Sequence, residues 1–233
     1  MPSRYILIRD LGARKGEKEW NFGYGLTDFN SYEEYELLVE YEWAVIDRLG
    51  LEIEVPILLF GSNADDPKPD NRIESIKTAA QWSFYVNQDI NTSIALGYMN
   101  ELLFYPIQQI EAEGLFEGNL FNPFFVAAKR WGNYFHTLIY TGPKFEYHFS
   151  PSDWLFEYEM HLNFHYMIPG TSNFFGLEYN QYFNSDDYSG VLRPQARVDI
   201  NENLLFGIVT GIPIDKTEER MSFFVRVIYE PDF

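Results

Sequence analysis

The sequence predicts an all-β fold, a transmembrane antiparallel up-and-down β-barrel of about twelve strands. Three observations predict it: long stretches alternate apolar and polar residues, short and long connections alternate between them, and the last stretch is an alternating aromatic and aliphatic run. Aromatic residues make up 18% of the chain, yet no apolar run approaches the ~20 residues of a membrane helix. A helical membrane protein is therefore excluded.

The clearest alternation lies in two adjacent stretches near the amino terminus. Between residues 34 and 43 apolar and acidic residues alternate, and only Leu38 interrupts the pattern. A turn at 47–50 follows, after which the alternation resumes. Because a strand has a period of two, each stretch sends its carboxylates to one face. These carboxylates are Glu34, Glu36, Glu40, Glu42, Glu52 and Glu54.

The same pattern recurs to the end of the chain. The stretch 153–168 is far longer than the five or six residues of an average strand, as a tilted membrane strand requires. At 137–142 the alternation slips, which indicates a bulge or a lumen-facing aromatic residue. The predicted strands lie near 18–28, 33–46, 50–60, 73–87, 91–103, 122–131, 134–148, 153–168, 173–183, 189–200, 203–214 and 221–231.

The connections give an independent indication of a barrel. Every even-numbered strand is followed by a tight turn, at 47–50, 87–91, 132–133, 169–173 and 201–203. Odd-numbered strands are mostly followed by longer connections, at 62–71, 106–120, 184–188 and 215–220, with 149–153 as an exception. This segregation is typical of short periplasmic turns and longer extracellular loops. It predicts one barrel over residues 18–233, preceded by a periplasmic or lumen-entering segment, 1–17.

The carboxyl-terminal stretch resembles the signal by which the barrel-assembly machinery of the outer membrane recognises its substrates. Phe223, Val225, Val227, Tyr229 and Phe233 share one parity, and Phe233 is the last residue. The resemblance implies that this machinery is a partner and that both ends of the barrel lie in the periplasm. No signal peptide precedes Tyr5, so we expect a mature form whose leader is missing.

Two blocks near the amino terminus are similar to a known family. Residues 7–21 (LIRDLGARKGEKEWN), followed by YEWA at 41–44 and DRLGLE at 47–52, resemble the HAEPLYID family of Gram-negative, Bacteroidota-type outer-membrane proteins. The block LRPQAR at 192–197 with NENL at 201–204 resembles small outer-membrane barrels linked to aromatic degradation. Both resemblances imply a fold and a location, and neither implies an activity.

Composition restricts the partners and cofactors. The chain has no cysteine and a formal charge of -18, so thiolate chemistry is absent and nucleic acid is not an expected partner. Cations suit such a chain better, and no cofactor is expected. Outer-membrane lipid is the expected surrounding. Aromatic residues near strand ends are interpreted as its interface belt, namely Trp20, Tyr24, Trp43, Trp82, Trp131, Trp154 and Tyr229.

The predicted lumen carries charges of both signs on separate strands. Its acidic members beyond residues 34–54 are Glu101, Glu157, Glu159 and Glu178, and its basic and imidazole members are Lys77, Lys129, His161, His165, Arg193, Arg197 and Arg226. Such side chains can select solutes by charge. They can equally pair with one another and fill the lumen. Both interpretations stay open at this point.

Neither a metal site nor a catalytic site is expected. His161 and His165 lie ~13 Å apart along one strand, too far for a single ion without neighbouring strands. With Glu157 and Glu159 they are better interpreted as a polar network. Of the four histidines only His148 lies near serines, Ser150 and Ser152, and Asp153, in what we interpret as a polar loop end.

The leading hypothesis is a passive channel or transporter for small solutes, not an enzyme. The first alternative is a barrel plugged by its own side chains with a structural or interaction role. The second is a water-soluble, ligand-binding β-barrel, in which the aromatic residues would point inward and the glutamates outward. Neither the solute nor the oligomeric state follows from the sequence.

Overall fold

The alternating stretches form a closed antiparallel barrel. A computed structural model describes residues 13–62, 68–185, 187–217 and 219–231. The strands are β1 (Lys18–Phe29), β2 (Glu33–Ile46), β3 (Leu49–Gly61), β4 (Arg72–Ile73), β5 (Ser75–Asn87), β6 (Thr92–Phe104), β7 (Phe116–Trp131), β8 (Phe135–Phe149), β9 (Ser152–Met167), β10 (Phe174–Phe183), β11 (Tyr188–Asn201), β12 (Leu204–Pro213) and β13 (Glu219–Tyr229).

Consecutive strands pair with one another, and the pairing of β1 with both β13 and β2 closes the ring. Twelve strands form the barrel, and the short β4 is an addition that pairs with β3 just before β5 begins. The predicted fold class and strand number are therefore confirmed. The slip at 137–142 is no bulge, because β8 pairs with β9 in unbroken register and Tyr140 points into the lumen.

Two predicted boundaries were wrong. The seventh barrel strand, β7, begins at Phe116, whereas the sequence indicated 122, because Phe116–Phe121 continue the alternation after the glycine-containing segment before them. The predicted loop 106–120 is correspondingly shorter and contains a single helical turn, α1 (Ile110–Glu113), that has no buried residue. Among the described residues no helix is long and apolar enough to cross a membrane.

The two rims of the barrel differ in the length of their connections, as predicted. One rim, here called the turn rim, carries the short connections after β2, β5, β7, β9 and β11, the start of β1 and the end of β13. The opposite loop rim carries the connections after β3, β6, β10 and β12, with only β1–β2 and β8–β9 joined tightly. Of the predicted segment 1–17, residues 1–12 lie outside the described part of the chain.

The barrel is apolar outside and largely polar inside. Every second residue of β1 from Glu19 to Phe29 is buried, while Trp20, Phe22 and Tyr24 are exposed on the other face. The same inversion runs through β9, where His161, Asn163 and His165 are buried and Leu162 and Phe164 are exposed. The outer face thus suits hydrocarbon and the inner face suits polar groups.

Candidate functional site

One row of polar residues crosses the inner face of five strands. Backbone register places Asn21 of β1 opposite Glu40 of β2, Glu40 opposite Glu54 of β3, Glu54 opposite Lys77 of β5, and Lys77 opposite Glu101 of β6. Directly opposed side chains in a sheet lie about 5 Å apart, so this register by itself brings the five groups into contact. If the pairing of any strand shifted by one residue, the polar residue of that strand would point to the outer face.

Lys77 is the central cation of this row. Its Nζ lies 2.6 Å from Glu54 Oε1 and 3.9 Å from Glu101 Oε1, and the lysine is only 3% exposed. Ser75 donates a hydrogen bond of 2.7 Å to the same oxygen of Glu101. Buried charges need this degree of compensation, because removal from water costs several kcal/mol for each ion.

Arg226 of β13 is the second cation. Its guanidinium lies 3.4 Å from Glu40 Oε2, and Asn21 donates a hydrogen bond of 2.7 Å to Glu40 Oε1. Arg226 of the last strand thus lies beside Glu40 of the acidic second strand. The closure of β13 against β1 achieves this across one intervening strand.

Among the residues that the structure describes, carboxylates outnumber cations on this side of the lumen. We call the acidic wall the lumen-facing carboxylates of β2, β3 and β6, namely Glu36, Glu40, Glu42, Glu52, Glu54 and Glu101. Oxygens of Glu40, Glu52 and Glu54 lie within 4.8 Å of one another, a spacing that one cation can bridge. Lys77 and Arg226 already bring positive charge to Glu54 and Glu40.

The strands β8 to β11 carry a wall of mixed charge. We call the mixed wall Lys144, Glu157, Glu159, His161, Glu178 and Arg193, of which Arg193 is only 1% exposed. Lys144 Nζ lies 2.9 Å from Glu157 and 3.9 Å from Glu159, and His161 lies 3.6 Å from Glu159. In the twelve-stranded ring β2 and β3 are six strands from β9 and β10, so the two walls lie on opposite sides of the lumen.

The mixed wall continues toward the turn rim as an amide network. Gln195 Nε2 donates to Asn163 at 3.0 Å and reaches His165 at 3.3 Å and Glu178 at 3.4 Å. Below it the Arg197 guanidinium stacks on Phe174 and donates to the Ser172 carbonyl. His161 and His165 thus take part in a polar network that spans several strands, and the described contacts of His165 include no carboxylate.

Apolar side chains complete the inner surface. Leu38, which broke the alternation in the sequence, packs with Val209 and Phe224. A second cluster contains Ala95, Val126, Leu138 and Tyr140, with Phe124 stacked on Tyr140 at 5.0 Å. The slip at 137–142 indicated a lumen-facing aromatic residue at Tyr140, but the other apolar residues gave no signal of an inward position.

Most predicted lumen residues lie on the inner face, but Lys129 does not. Lys129 pairs with Thr92 on the outer parity of β7, and its Nζ lies 4.9 Å from the exposed ring of Trp131. The prediction was wrong because β7 alternates Val126 and Ala128 inward, which turns position 129 outward. Its ammonium group instead reaches the Ile90 carbonyl at the turn rim.

The other predicted residues belong to the proposed assembly signal, the aromatic belt and the surroundings of His148. Phe223, Val225, Val227 and Tyr229 all lie on the outer face of β13, while Phe233 lies outside the described residues. The proposed belt residues Trp20, Trp82, Trp131 and Trp154 are exposed on the outside. Near the loop rim His148 contacts Glu146 at 2.9 Å, and Ser152 shares a hydrogen bond with Tyr147. No Ser–His pair is therefore formed among these described groups.

Several lumen residues were missed in the sequence. Asn21, Asn122 and Asn180 are completely buried, and Lys144 is one of the two cations that define the mixed wall. Parity could have found Asn180, which shares the face of Glu178, and Asn21, which follows the outward-facing Trp20. The assignment of Lys129 to the lumen concealed Asn122, because these two residues lie on opposite faces of β7. Buried amides carry no charge and so leave a weaker signal in the sequence than glutamates, histidines and cations.

Comparison with known proteins identifies the family. A model of the HAEPLYID-like family matches residues 2–230. The chain belongs to this family. Comparison with curated protein sequences gave no match.

Solved structures share the fold of this HAEPLYID-like chain. The COG4313 outer membrane channel from Pseudomonas putida F1 has a TM-score of 0.73 at 13% identity, covering 97% of this chain and 100% of that one. The KdgM porin has a TM-score of 0.61 at 14% identity, covering 91% and 99%. The NanC porin has a TM-score of 0.59 at 10% identity, covering 91% and 98%. All three likenesses establish an outer-membrane type of barrel.

Proposed function

We propose that this protein is an outer-membrane channel that passes small solutes passively and prefers cations. The observation that carries the proposal is the acidic wall, whose carboxylates line one side of the lumen and have Lys77 and Arg226 as nearby cations. Rings of Asp or Glu favour cations in other channels. Structural neighbours that are themselves named porins or channels support the same class of function.

In this proposal the turn rim faces the periplasm and the loop rim faces the exterior. The exposed apolar residues of the outer face support a membrane location, since large apolar patches of this kind do not persist in water. Lumen-facing carboxylates then attract cations into a low-dielectric passage, where opposed walls of unlike charge create a transverse field. The mixed wall supplies the other side of this field.

Ion conductance in planar lipid bilayers tests the proposal. The refolded full-length chain is expected to give discrete single-channel steps, and a reversal potential under a KCl gradient that shows K⁺ preference. Replacing Glu42 and Glu52 by Gln should reduce that preference, because both carboxylates lie on the inner face. Asp187→Asn, outside β10 and β11 at the loop rim, serves as the matched control. A folded barrel that is silent at both low and high salt would contradict the channel and favour the structural role.

A further inference from the structure

A small cavity lies at the turn rim, where the connections after β5, β7 and β9 come together. Its volume is about 300 Å³, near the lower limit for sites that hold small molecules. Strand ends and turns both contribute to its lining, which includes Arg130, His136, Met167, Asn91, Asn133 and Thr171. Most of these side chains are polar, so the cavity suits a ligand that accepts hydrogen bonds.

The register of the strands places the two basic side chains of this cavity on the inner face. Val126 and Ala128 point inward along β7, and Arg130 continues their parity. Arg130 lies directly opposite His136 of β8, which in turn lies opposite the buried His165 of β9. Opposed side chains in a sheet are about 5 Å apart. The Arg130 guanidinium and the His136 imidazole therefore belong to the mouth of the lumen and not to the lipid-facing surface.

Backbone hydrogen bonds hold the boundaries of the cavity in place. The Arg130 amide donates to the Asn91 carbonyl at 2.9 Å, which ties β7 to the turn after β5. The Met167 amide donates to the Tyr134 carbonyl at 2.7 Å, which ties the end of β9 to the turn after β7. A cavity built in this way is preformed, so a ligand does not have to order its walls on binding.

The charge around the cavity is opposite to that of the whole chain. The chain has a formal charge of -18, yet no carboxylate is among the described residues that line this cavity. Asp89 lies in the turn after β5 but not in the lining, and Asp199 forms a hydrogen bond with Ser172. Within the described part of the chain no hydrogen bond or ion pair engages the Arg130 guanidinium. A guanidinium in this setting, with amide and hydroxyl groups beside it, is suited to an oxyanion.

The composition of the lining favours a carboxylate among the oxyanions. Arg130 supplies a single permanent positive charge, which matches a single negative charge, and its planar fork matches the two oxygens of a carboxylate. Met167 supplies an adaptable apolar contact for the carbon atoms attached to that group.

We propose that this cavity binds the carboxylate of a small organic solute, with Arg130 as the group that anchors it. The site lies at the turn-rim end of the lumen, which faces the periplasm in the proposed channel. It goes beyond that channel function, because binding does not require conduction. A preference for cations is compatible with it, since the acidic wall lies on other strands, β2, β3 and β6, deeper in the lumen.

Saturation-transfer NMR on the full-length chain, refolded in detergent micelles, tests the site with propionate as the probe. Propionamide is the matched control ligand, because it has the same carbon atoms and nearly the same shape but no charge. Propionate is expected to bind about tenfold or more tightly than propionamide, since hydrogen bonds to charged groups are the stronger ones. Equal binding of the two ligands would overturn the inference.

Two variants locate the binding. Arg130→Met is expected to weaken propionate binding about tenfold or more, because it removes the charged partner. Arg14→Met is the matched control and should leave binding unchanged, since Arg14 lies at the same rim, is 83% exposed and is 3.9 Å from Glu17. Asn133→Asp sets a carboxylate in an exposed turn of the lining and should repel propionate. It keeps the test available if Arg130→Met does not refold, which heat-modifiable migration on gels reports.

The remaining outcomes separate this site from other sites and from the channel. Unchanged propionate binding in Arg130→Met or in Asn133→Asp would overturn the site, since the ligand would then bind elsewhere. Binding of inorganic phosphate at concentrations where propionate does not bind would overturn the carboxylate as its ligand. Propionate binding by a barrel that is silent in bilayers supports the site and contradicts the channel, and a conducting barrel that does not bind propionate gives the reverse result.

Discussion

Of the cations beside the acidic wall, Lys77 is the one whose replacement should lower the stability of the barrel most. Lys77→Met removes the cation that contacts Glu54 and Glu101, and it leaves two buried carboxylates near each other. Breaking a buried pair in this way costs about 3–5 kcal/mol. We expect a loss of that size in the free energy of unfolding, measured by guanidinium titration of the barrel in lipid vesicles.

Two further variants show whether the loss comes from charge. Lys77→Met combined with Glu54→Gln should recover part of the stability, because it removes one of the stranded charges. Arg220→Met is the matched control, since Arg220 pairs with Asp28 at 3.4 Å at an exposed site. Exposed pairs contribute ~0–1 kcal/mol. Equal losses for Lys77→Met and Arg220→Met would contradict the buried network.

At the scale of elements, Gly97 permits β6 and β7 to pack an aromatic ring inside the lumen. Gly97 lies directly opposite Phe124, and a Cβ at position 97 would lie 2.0 Å from its ring. Gly97→Ala must displace Phe124 from its stack on Tyr140, so we expect a destabilisation of about 1–3 kcal/mol, the usual cost of overpacking. Heat-modifiable migration on gels and guanidinium unfolding both report it.

A second-site change distinguishes crowding from a general effect of removing glycine. Phe124→Leu is expected to cost stability alone but to reduce the additional cost of Gly97→Ala, because the shorter side chain vacates the contact. Gly50→Ala is the control, since its Cβ would meet only Ala13 at 3.9 Å and should be tolerated. Additive losses for Gly97→Ala and Phe124→Leu would contradict a direct clash.

The strands were predictable because one physical rule, the period of two, acts on every one of them. The boundary of β7 was not, since the glycine at 118 and the asparagine at 119 resemble loop residues although Asn119 and Gly118 pair with β6. Lys129 shows the same limit at the site. A cation near a strand end gives no indication of whether it faces the lumen or the lipid. Only the inward position of Val126 and Ala128 on the same strand shows that Lys129 points outward.

The row from Asn21 to Glu101 was only partly predictable for a different reason. Its glutamates could be assigned to the inner face, but their contacts depend on the register between strands, which the turns set and the sequence does not state. The apolar contacts of Leu38 with Phe224 depend on ring closure between the first and last strands. Such contacts join residues far apart in the chain and have no local signal.

At the scale of the whole molecule, the outer face should tolerate charge only near its rims. Tyr98 lies at the middle of β6 and is 46% exposed, whereas Tyr134 lies at the turn rim and is 42% exposed. In lipid, Tyr98→Arg is expected to cost about 2–4 kcal/mol and Tyr134→Arg about 0–1, because the cost of a cation depends on depth in the bilayer. Guanidinium unfolding in vesicles measures both. The two positions are matched in residue type and exposure, so only depth separates them. A soluble barrel has water at both positions, and equal small costs, together with folding in the absence of detergent or lipid, would contradict the membrane location.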